Sequence, residues 1–402
     1  MAVITLQRGD ALSDSRQSAG CTVFDRSLDI IILCLYCSYQ FFSKGNMREA
    51  GNLISIVTIL LILFKIGLIV YENASSHILN EFNARAVIPI LVLCALYFLG
   101  QNRYDLLVSY GLCIAICDLS VRSISDYVGL IFAIFYGSHL ALYRLGFIQE
   151  FTADMPRLTD QGMTYRLALG FDQPNFNTCF ILPILSAAVV SRKRWKRYAF
   201  LFVALGYALW TYRYTISRTG LIAVLCGVFL WAISEFIGKY VKRFWSIIVL
   251  MIIACISATY FVSNKYYGNG EVNFLLSQRP AIMKNIQGNG LGLFFNSNLK
   301  TAYFTGASID NFYFMLMYGY GLLVAIPVFY LLVNLSKVAE LHSNRQLPIV
   351  IMIYLIYGLT ENHVLDFGFS YLALFLFLPF VRQSSFDEQI EEPSYSVESR
   401  GA

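Results

Sequence analysis

The chain has 402 residues, of which 57% are hydrophobic and only 14% are charged, and its mean hydropathy is +0.59. A soluble domain does not need repeated apolar runs of about 15–20 residues, so this composition predicts a polytopic membrane protein. The net charge of +5 is modest, and no basic patch is interleaved with aromatic residues. Nucleic acid is therefore not an expected partner.

Hydropathy predicts an all-α protein with one transmembrane domain, residues 28–382, that contains about twelve spans. The predicted spans are 28–43, 53–71, 86–101, 106–121, 127–147, 176–190, 198–216, 220–237, 244–263, 311–334, 347–362 and 366–382. The polar segment 1–27 is predicted to be a weakly ordered cytoplasmic tail, and the acidic, serine-rich segment 383–402 a disordered one.

Basic residues in the short loops predict the orientation. The strongest signal is the run Arg192–Arg197, in which five of six residues are basic. By the positive-inside rule this run faces the cytoplasm, and alternation then places both termini inside. The long polar loops 148–175 and 264–310 then lie outside, where loops of this length usually carry function. Lys65 falls near the cytoplasmic end of the second span, where snorkelling is the expected explanation.

The cysteine pattern indicates neither a redox site nor a metal site. Eight of the nine fall inside apolar runs, including Cys34 and Cys37, which have the spacing of a redox or metal pair but apolar neighbours. We expect these side chains to pack in the core and to form neither a disulfide nor a metal site.

Positive charge on the outer side runs against the orientation rule, so the arginines predicted there are informative. The guanidinium group offers a planar fork of donors that fits phosphate oxygens and stays charged when partly desolvated. Each arginine taken singly also fits the role of an interfacial anchor. The outer arginines are Arg157, Arg166, Arg213, Arg218 and Arg279.

Two of these arginines belong to local motifs at the start of a span. Arg166 opens a stretch that ends at Asn175, in which glycine and proline predict a sharp turn before the sixth span. Ser217-Arg218-Thr219-Gly220 precedes the eighth span, where a hydroxyl can cap the helix and the helix N-terminus favours an anion.

Three further motifs follow in the second half of the chain. Arg279 opens a predicted amphipathic helix, RPAIMKNI, in the large loop, and a glycine-rich turn follows at Gly288, Gly290 and Gly292. The run Asp310-Asn311-Phe312-Tyr313 begins the tenth span. Glu361 and His363 lie between the last two spans.

These motifs, in this order over residues 150–370, resemble the Wzy-type polymerases of O-antigen and capsular polysaccharide and the related O-antigen ligases. The resemblance rests on Arg166 to Asn175, on Ser-Arg-Thr-Gly at 217–220, on Arg279 with Gly290 and Gly292, and on Asp310 to Tyr313. One residue departs from the pattern: Gln173 stands where many relatives carry histidine before Pro-Asn.

The resemblance implies a metal-independent glycosyltransferase of GT-C-like architecture in a bacterial inner membrane, with its active site on the outer side. Donor and acceptor would be undecaprenyl-diphosphate-linked oligosaccharides, with membrane lipids and a chain-length regulator as further partners and no cofactor. It implies that Arg166, Arg218, Arg279, Arg213 and Arg157 bind pyrophosphate and that Asn175, Asn311 and Tyr313 contact the substrate. The acceptor hydroxyl needs a base, for which His363, Glu361 and Asp310 are the candidates, in that order.

Two alternatives remain open at the level of sequence. A ligase shares the arginines and usually has a histidine close to the Asn-x-Tyr position, where this chain has Asp310. A flippase or other transporter should have short outer loops and charged residues that line its spans. This chain concentrates its polar residues in two long loops and at span ends, which favours the polymerase.

Overall fold

The computed structural model describes residues 17–43, 48–76, 84–101, 105–150, 156–159, 162–241, 243–276, 279–288, 290–293, 310–361, 364 and 371–381. These residues form α-helices and one short antiparallel hairpin. The α-helices of six or more residues are α1 Gln17–Phe42, α2 Arg48–Ser76, α3 Ala84–Gln101, α4 Asp105–Ala115, α5 Val121–Arg144, α6 Phe176–Val190, α7 Arg194–Thr215, α8 Arg218–Tyr240, α9 Phe244–Lys265, α10 Gly270–Leu275, α11 Arg279–Gln287, α12 Leu322–Leu341 and α13 Gln346–Tyr357. Shorter helical turns are Phe312–Phe314, the 3-10 helix Tyr371–Leu374 and Leu378–Val381. The hairpin pairs β1, Pro156–Thr159, with β2, Gly162–Tyr165.

Four helices of the described part are both long and apolar enough to cross a membrane. They are Arg48–Tyr71, Val121–Arg144, Phe244–Lys265 and Leu322–Leu341. Shorter apolar helices accompany them, among them Phe176–Val190 and Gln346–Tyr357. The fold is therefore that of a helical membrane protein, and the count of twelve spans stays a prediction.

The centre of the bundle is built on α6 and α13. Every residue of α6 is buried, and so is nearly every residue of α13. A helix that is apolar on all sides belongs in the interior, and α6 packs against α5, α7, α8 and α13. Peripheral α2 has the opposite character, since Leu53, Leu60 and Leu63 are each about 60% exposed, as expected for a surface that faces lipid.

The tenth predicted span, 311–334, is not one continuous helix. A helical turn at Phe312–Phe314 runs into a π-helical segment, Met315–Tyr320, and the chain then breaks at Gly321, which has φ of 85°. The first two N–H groups of α12, on Leu322 and Leu323, donate to the carbonyls of Gly292 and Leu293 at 3.1 Å. The glycine-rich turn of the large loop thus satisfies the start of α12.

Other predicted bounds also need correction. The short hairpin lies within the polar loop 148–175, and the fold class is all-α, as predicted. Helix α1 begins at Gln17, inside the predicted tail 1–27, because the apolar pattern of the first span extends into a helical N-terminal flank. Helix α4 ends at Ala115, short of the predicted end of the fourth span at residue 121. The tail 383–402 lies outside the described residues.

Lys65 does not snorkel; it is buried among carboxylates. Its ammonium group lies 2.8 Å from Asp25, 3.3 Å from Asp29 and 3.8 Å from Asp118. The lysine side chain is 2% exposed and that of Asp29 is fully buried. This inner cluster joins α1, α2 and the α4–α5 connection, and it uses paired charges because an isolated buried ion costs too much free energy.

Candidate active site

The polar loop 148–175, the α7–α8 turn and the end of α13 meet at one end of the bundle, and Asn175 is the residue that links them. Its amide oxygen accepts from Arg166 Nη2 at 2.9 Å and from Ser217 Oγ at 3.0 Å. Its amide nitrogen donates to Glu361 Oε1 at 2.9 Å. Asn175 stands at the N-cap position of α6 but makes no side-chain capping bond, because its side chain serves these three partners instead.

Arg166 is fixed by the end of α7. Its Nε donates to the carbonyl of Thr215 at 2.8 Å, and the next residue, Leu167, donates its N–H to the carbonyl of Tyr214 at 3.1 Å. The carbonyls in the last turn of a helix lack intrahelical partners, so an arginine and a backbone N–H are natural donors there. The result is a guanidinium held beside the α7–α8 turn.

Arg279 brings the large loop to the same place. It begins α11, as the sequence predicts, and its Nη2 lies 3.0 Å from Asp310 Oδ2 and 3.7 Å from Glu361 Oε1. The arginine and aspartate side chains keep 13% and 19% of their surface exposed, whereas Glu361 keeps 3%. A group of five side chains, the outer cluster, thus combines Arg166, Asn175, Arg279, Asp310 and Glu361.

Glu361 reaches this cluster because α13 ends in a tight turn just before it. The N–H groups of Gly358 and Glu361 donate to the carbonyls of Tyr354 and Tyr357. The carbonyl of Gly358 accepts in turn from Phe312 N at 2.8 Å. The start of the tenth span and the end of α13 therefore form one rigid unit, with the glutamate at its tip.

Asn311 and Tyr313 are predicted to contact the substrate, and in the structure their side chains make hydrogen bonds within that unit. Asn311 caps the short helix by accepting from Phe314 N at 2.8 Å, and its amide donates to the carbonyl of Leu359 at 2.8 Å. The hydroxyl of Tyr313 donates to the carbonyl of Leu355 at 2.8 Å, and its side chain is fully buried. These bonds give both residues a part in positioning Asp310 and Glu361.

Close packing explains the glycine of the Ser-Arg-Thr-Gly motif. A Cβ on Gly220 would overlap the hydroxyl of Thr178 on α6, so the first turn of α8 approaches α6 as only glycine allows. This approach brings Ser217 within hydrogen-bonding distance of Asn175. The motif is thus the point at which α8 contacts the outer cluster.

Glu150 is a supporting residue that sequence reasoning missed. Its carboxylate accepts from Ala168 N at 2.6 Å, from Leu169 N at 3.1 Å and from the hydroxyl of Tyr143 at 2.8 Å. Leu169 has φ of 58°, a region that non-glycine residues rarely adopt, and its carbonyl lies 2.8 Å from His139 Nε2. Glu150 and His139 therefore hold the turn that carries Arg166. The signal in the sequence that could have indicated this role is an acidic residue, Glu150, just beyond the predicted fifth span.

The remaining predicted site residues do not belong to the outer cluster as the structure describes it. Arg218 begins α8 beside Ser217, and Arg213 is exposed in the last turn of α7. Within the described part of the chain, neither of these two has an ion-pair partner. Arg157 lies in β1 opposite Thr164, but its side chain is outside the described set. His363 also lies outside the described residues.

The outer cluster is electrically balanced, and two further arginines lie at the adjacent α7–α8 turn. Its two arginines offset its two carboxylates, and Arg213 and Arg218 add two charges at the neighbouring α7–α8 turn. Such an arrangement can receive an anion with several charges and offers a buried carboxylate as proton acceptor. Among the described residues, no three histidine, cysteine or acidic side chains come together as metal ligands.

The fold and the site together define a helical membrane protein with a polar, arginine-containing site at one end of its bundle. No family model, curated protein or solved structure matches the chain.

Proposed function

We propose that this protein is a polysaccharide polymerase of a bacterial plasma membrane, with about twelve spans and cytoplasmic termini. It transfers a growing glycan from undecaprenyl diphosphate to a lipid-linked repeat unit on the outer side. The observation that carries this proposal is the outer cluster together with Ser217, which contacts Asn175: residues of all the resembling motifs, distant in sequence, converge there at one bundle end.

The leaving group determines what the arginines do. When the bond between the anomeric carbon and the diphosphate oxygen breaks, that oxygen keeps the electron pair and the diphosphate gains negative charge. Arg166 and Arg279 are held by partners that fix their orientation, and Arg213 and Arg218 have no competing ion pair among the described residues. Removing one donor to such a developing charge typically costs about 3–4 kcal/mol of transition-state stabilisation.

The acceptor hydroxyl must lose its proton as its oxygen attacks the anomeric carbon. Glu361 is the carboxylate best placed for this step, because it is buried at the centre of the outer cluster. Asp310 forms the closer ion pair with Arg279 and orients that arginine. In this mechanism the proton passes to Glu361 and then to solvent, and a basic role for His363 remains a separate prediction.

A transporter of the same lipid-linked unit is the second candidate, and two observations favour it. The inner cluster around Lys65 places charges within the helices, and the tenth span is interrupted at Gly321. Both features occur in transporters, whose broken helices line the binding site. The outer cluster lies elsewhere, at span ends, which favours the polymerase.

The test uses a strain that lacks the gene, complemented with Arg166→Gln, Arg279→Gln or Glu361→Gln, with membrane levels of each protein measured. A gel of the surface polysaccharide should show a single repeat unit on the acceptor for each variant. Arg192→Gln is the matched control, because it removes an exposed arginine at the far end of α7 and should leave the full ladder.

Other outcomes separate the alternatives. Long chains that accumulate on the carrier lipid would identify a ligase. Lipid-linked single units that accumulate on the inner side would identify a transporter. Full ladders in all three variants would mean that the arginines are anchors and would refute the assigned site.

A further inference from the structure

An aromatic cavity lies beside the turn that carries Arg166. It has a volume of about 330 Å³, within the range of roughly 300–1,000 Å³ that is common for small-molecule sites. Its walls come from the end of α1, the outer half of α5, the residues just after α5 and the turn before α6. Five of its lining residues are phenylalanines: Phe41, Phe42, Phe135, Phe147 and Phe171.

The lining is almost wholly apolar, and its rings are held in place. Ser138 and His139 are the polar side chains of the described lining, and His139 Nε2 lies 2.8 Å from the carbonyl oxygen of Leu169. The His139 ring stacks on Phe171 with 4.1 Å between ring centres, and Phe41 meets Phe171 edge-on at 5.6 Å. A cavity of this kind disfavours a charged ligand and suits a hydrocarbon one.

The cavity reaches a surface that is expected to face lipid. Two of its lining residues, Leu142 and Phe147, are 43% and 76% exposed. They lie at the outer end of α5, next to Leu145, which is 71% exposed. Large apolar side chains that are exposed together at the end of a span are typical of contact with the bilayer. A hydrocarbon chain can therefore enter the cavity from the membrane.

The cavity and the outer cluster share one turn, residues 166–175. Gly170 and Phe171 of this turn line the cavity, whereas Arg166 and Asn175, at its two ends, belong to the outer cluster. Phe171 follows Arg166 by five residues, which span about 18 Å at most even in an extended chain. A molecule with an anionic head and a long apolar chain can therefore occupy both places at once.

We propose that this cavity binds the first isoprenoid units of the carrier lipid, next to the diphosphate, while the outer cluster binds the diphosphate itself. The identity of the lipid rests on the polymerase assignment. An arginine-containing site beside an apolar cavity indicates, by itself, an amphiphile with an anionic head. Isoprenoid units carry methyl branches and double bonds that aromatic faces contact closely. The straight acyl chain of a phospholipid is the competing occupant, and the test must separate the two.

The experiment measures the affinity of the detergent-purified full-length protein for undecaprenyl diphosphate, a diacylglycerol diphosphate and inorganic diphosphate. The wild type should bind the first most tightly and the last most weakly. Ser138→Trp places a large ring at the cavity from an exposed position, so the variant should fold normally. We expect it to bind undecaprenyl diphosphate about tenfold more weakly, because detergent is also apolar and only the close packing is lost. Its affinity for inorganic diphosphate should not change.

Ile134→Trp is the matched control. It adds the same ring to an exposed position of α5 one turn before Ser138, and Ile134 is not part of the cavity lining. This control should bind all three ligands as the wild type does. Equal loss in both variants would overturn the proposal, because it would show a general disturbance of α5. Equally tight binding of the diacylglycerol diphosphate and undecaprenyl diphosphate to the wild type would also overturn it.

The cavity proposal and the polymerase assignment fail in different ways. A wild type that binds none of the three ligands would refute both. If the wild type and Ser138→Trp bind undecaprenyl diphosphate equally well, only the cavity proposal is wrong. A photoreactive diazirine on the first isoprenoid unit gives a direct check, since it should label peptides that contain residues 135–148 or 170–171. Labelling confined to other peptides would overturn the proposal.

Discussion

The two charge clusters of this protein differ in composition as well as position. Helix α5 runs from the inner cluster near its start to the turn held by His139 near its end, so the clusters lie at opposite ends. The inner cluster has one lysine among three aspartates; Lys65 and Asp29 are buried, whereas Asp25 and Asp118 are 22% and 41% exposed. The outer cluster has two arginines, two carboxylates and a neutral amide, and part of it is open to solvent.

This difference in composition indicates a structural role for the inner cluster and a ligand-binding role for the outer cluster. A buried lysine that touches several carboxylates has no donor to spare, and its main effect is to offset charges that the fold has removed from water. In the outer cluster, hydrogen bonds and ion pairs orient Arg166 and Arg279, and the planar guanidinium group suits recognition of an anion. The inner cluster should therefore control stability and the outer cluster activity.

Lys65→Met is the substitution expected to have the largest effect. It leaves Asp29, fully buried and without a hydrogen-bond partner in the described chain, beside other carboxylates and without its cation. Breaking a buried pair from one side typically costs about 3–5 kcal/mol. Thermal unfolding of the purified protein in detergent should show the loss, and Lys65→Met/Asp29→Asn should recover part of it. An unchanged melting temperature in Lys65→Met would contradict a structural role.

Asn175→Asp would make the outer cluster resemble the inner one. The exchange keeps the size of the side chain but replaces the donor to Glu361 with a carboxylate 2.9 Å away. Two carboxylates at that distance cannot both ionise, so Glu361 is displaced or takes a proton. We expect roughly a hundredfold loss of chain elongation, about 2.7 kcal/mol, with near-normal membrane levels.

The control for this variant is Asn285→Asp, which adds the same charge to an exposed position on α11. It should elongate chains at the wild-type rate. Equal loss in both variants would show that elongation responds to overall charge, and the amide bridge would lose its assigned importance.

The comparison also shows what the sequence could predict. The helix that starts at Arg279, the long apolar helices and the meeting of the two polar loops follow from local patterns and from alternation. The hub role of Asn175 does not, because its partners Arg166, Ser217 and Glu361 come from three separate parts of the chain. Hydropathy indicates roughly where a span lies but not which side chains meet at its end.

The wrong predictions for Lys65 and for the tenth span have the same kind of physical cause, namely contacts between residues that are distant in the sequence. The aspartate partners of Lys65 lie 36 to 53 residues away in the sequence (Asp29 and Asp118 at the two limits), so a single sequence offers snorkelling as the simpler explanation. The break at Gly321 occurs inside an apolar run, which hydropathy treats as continuous helix. Its cost is offset by the carbonyls of Gly292 and Leu293, a long-range contact that no local pattern encodes.

Glu150→Gln tests whether Glu150, which the sequence analysis did not identify, supports the outer cluster by holding the turn that carries Arg166. Glutamine keeps the shape but has one acceptor oxygen, so it cannot accept from Ala168 N, Leu169 N and Tyr143 as the carboxylate does. We expect about 1–3 kcal/mol of destabilisation, measured by thermal unfolding, with reduced chain elongation. Glu271→Gln, at an exposed position in α10, should change neither. A stable variant that makes polysaccharide of normal length would show that the turn keeps its conformation without the Glu150 carboxylate.

Ser217→Ala should have the smallest effect. It removes one of the two donors to the Asn175 amide oxygen, and Arg166 still supplies the other. The loss of one neutral hydrogen bond is worth about 1 kcal/mol, or roughly a fivefold slower chain elongation, with an unchanged melting temperature. Ser246→Ala, in the first turn of α9, is the matched control. A loss greater than that of Asn175→Asp would mean that the hydroxyl contacts the substrate itself, and Ser217 would then move from the supporting residues to the catalytic ones.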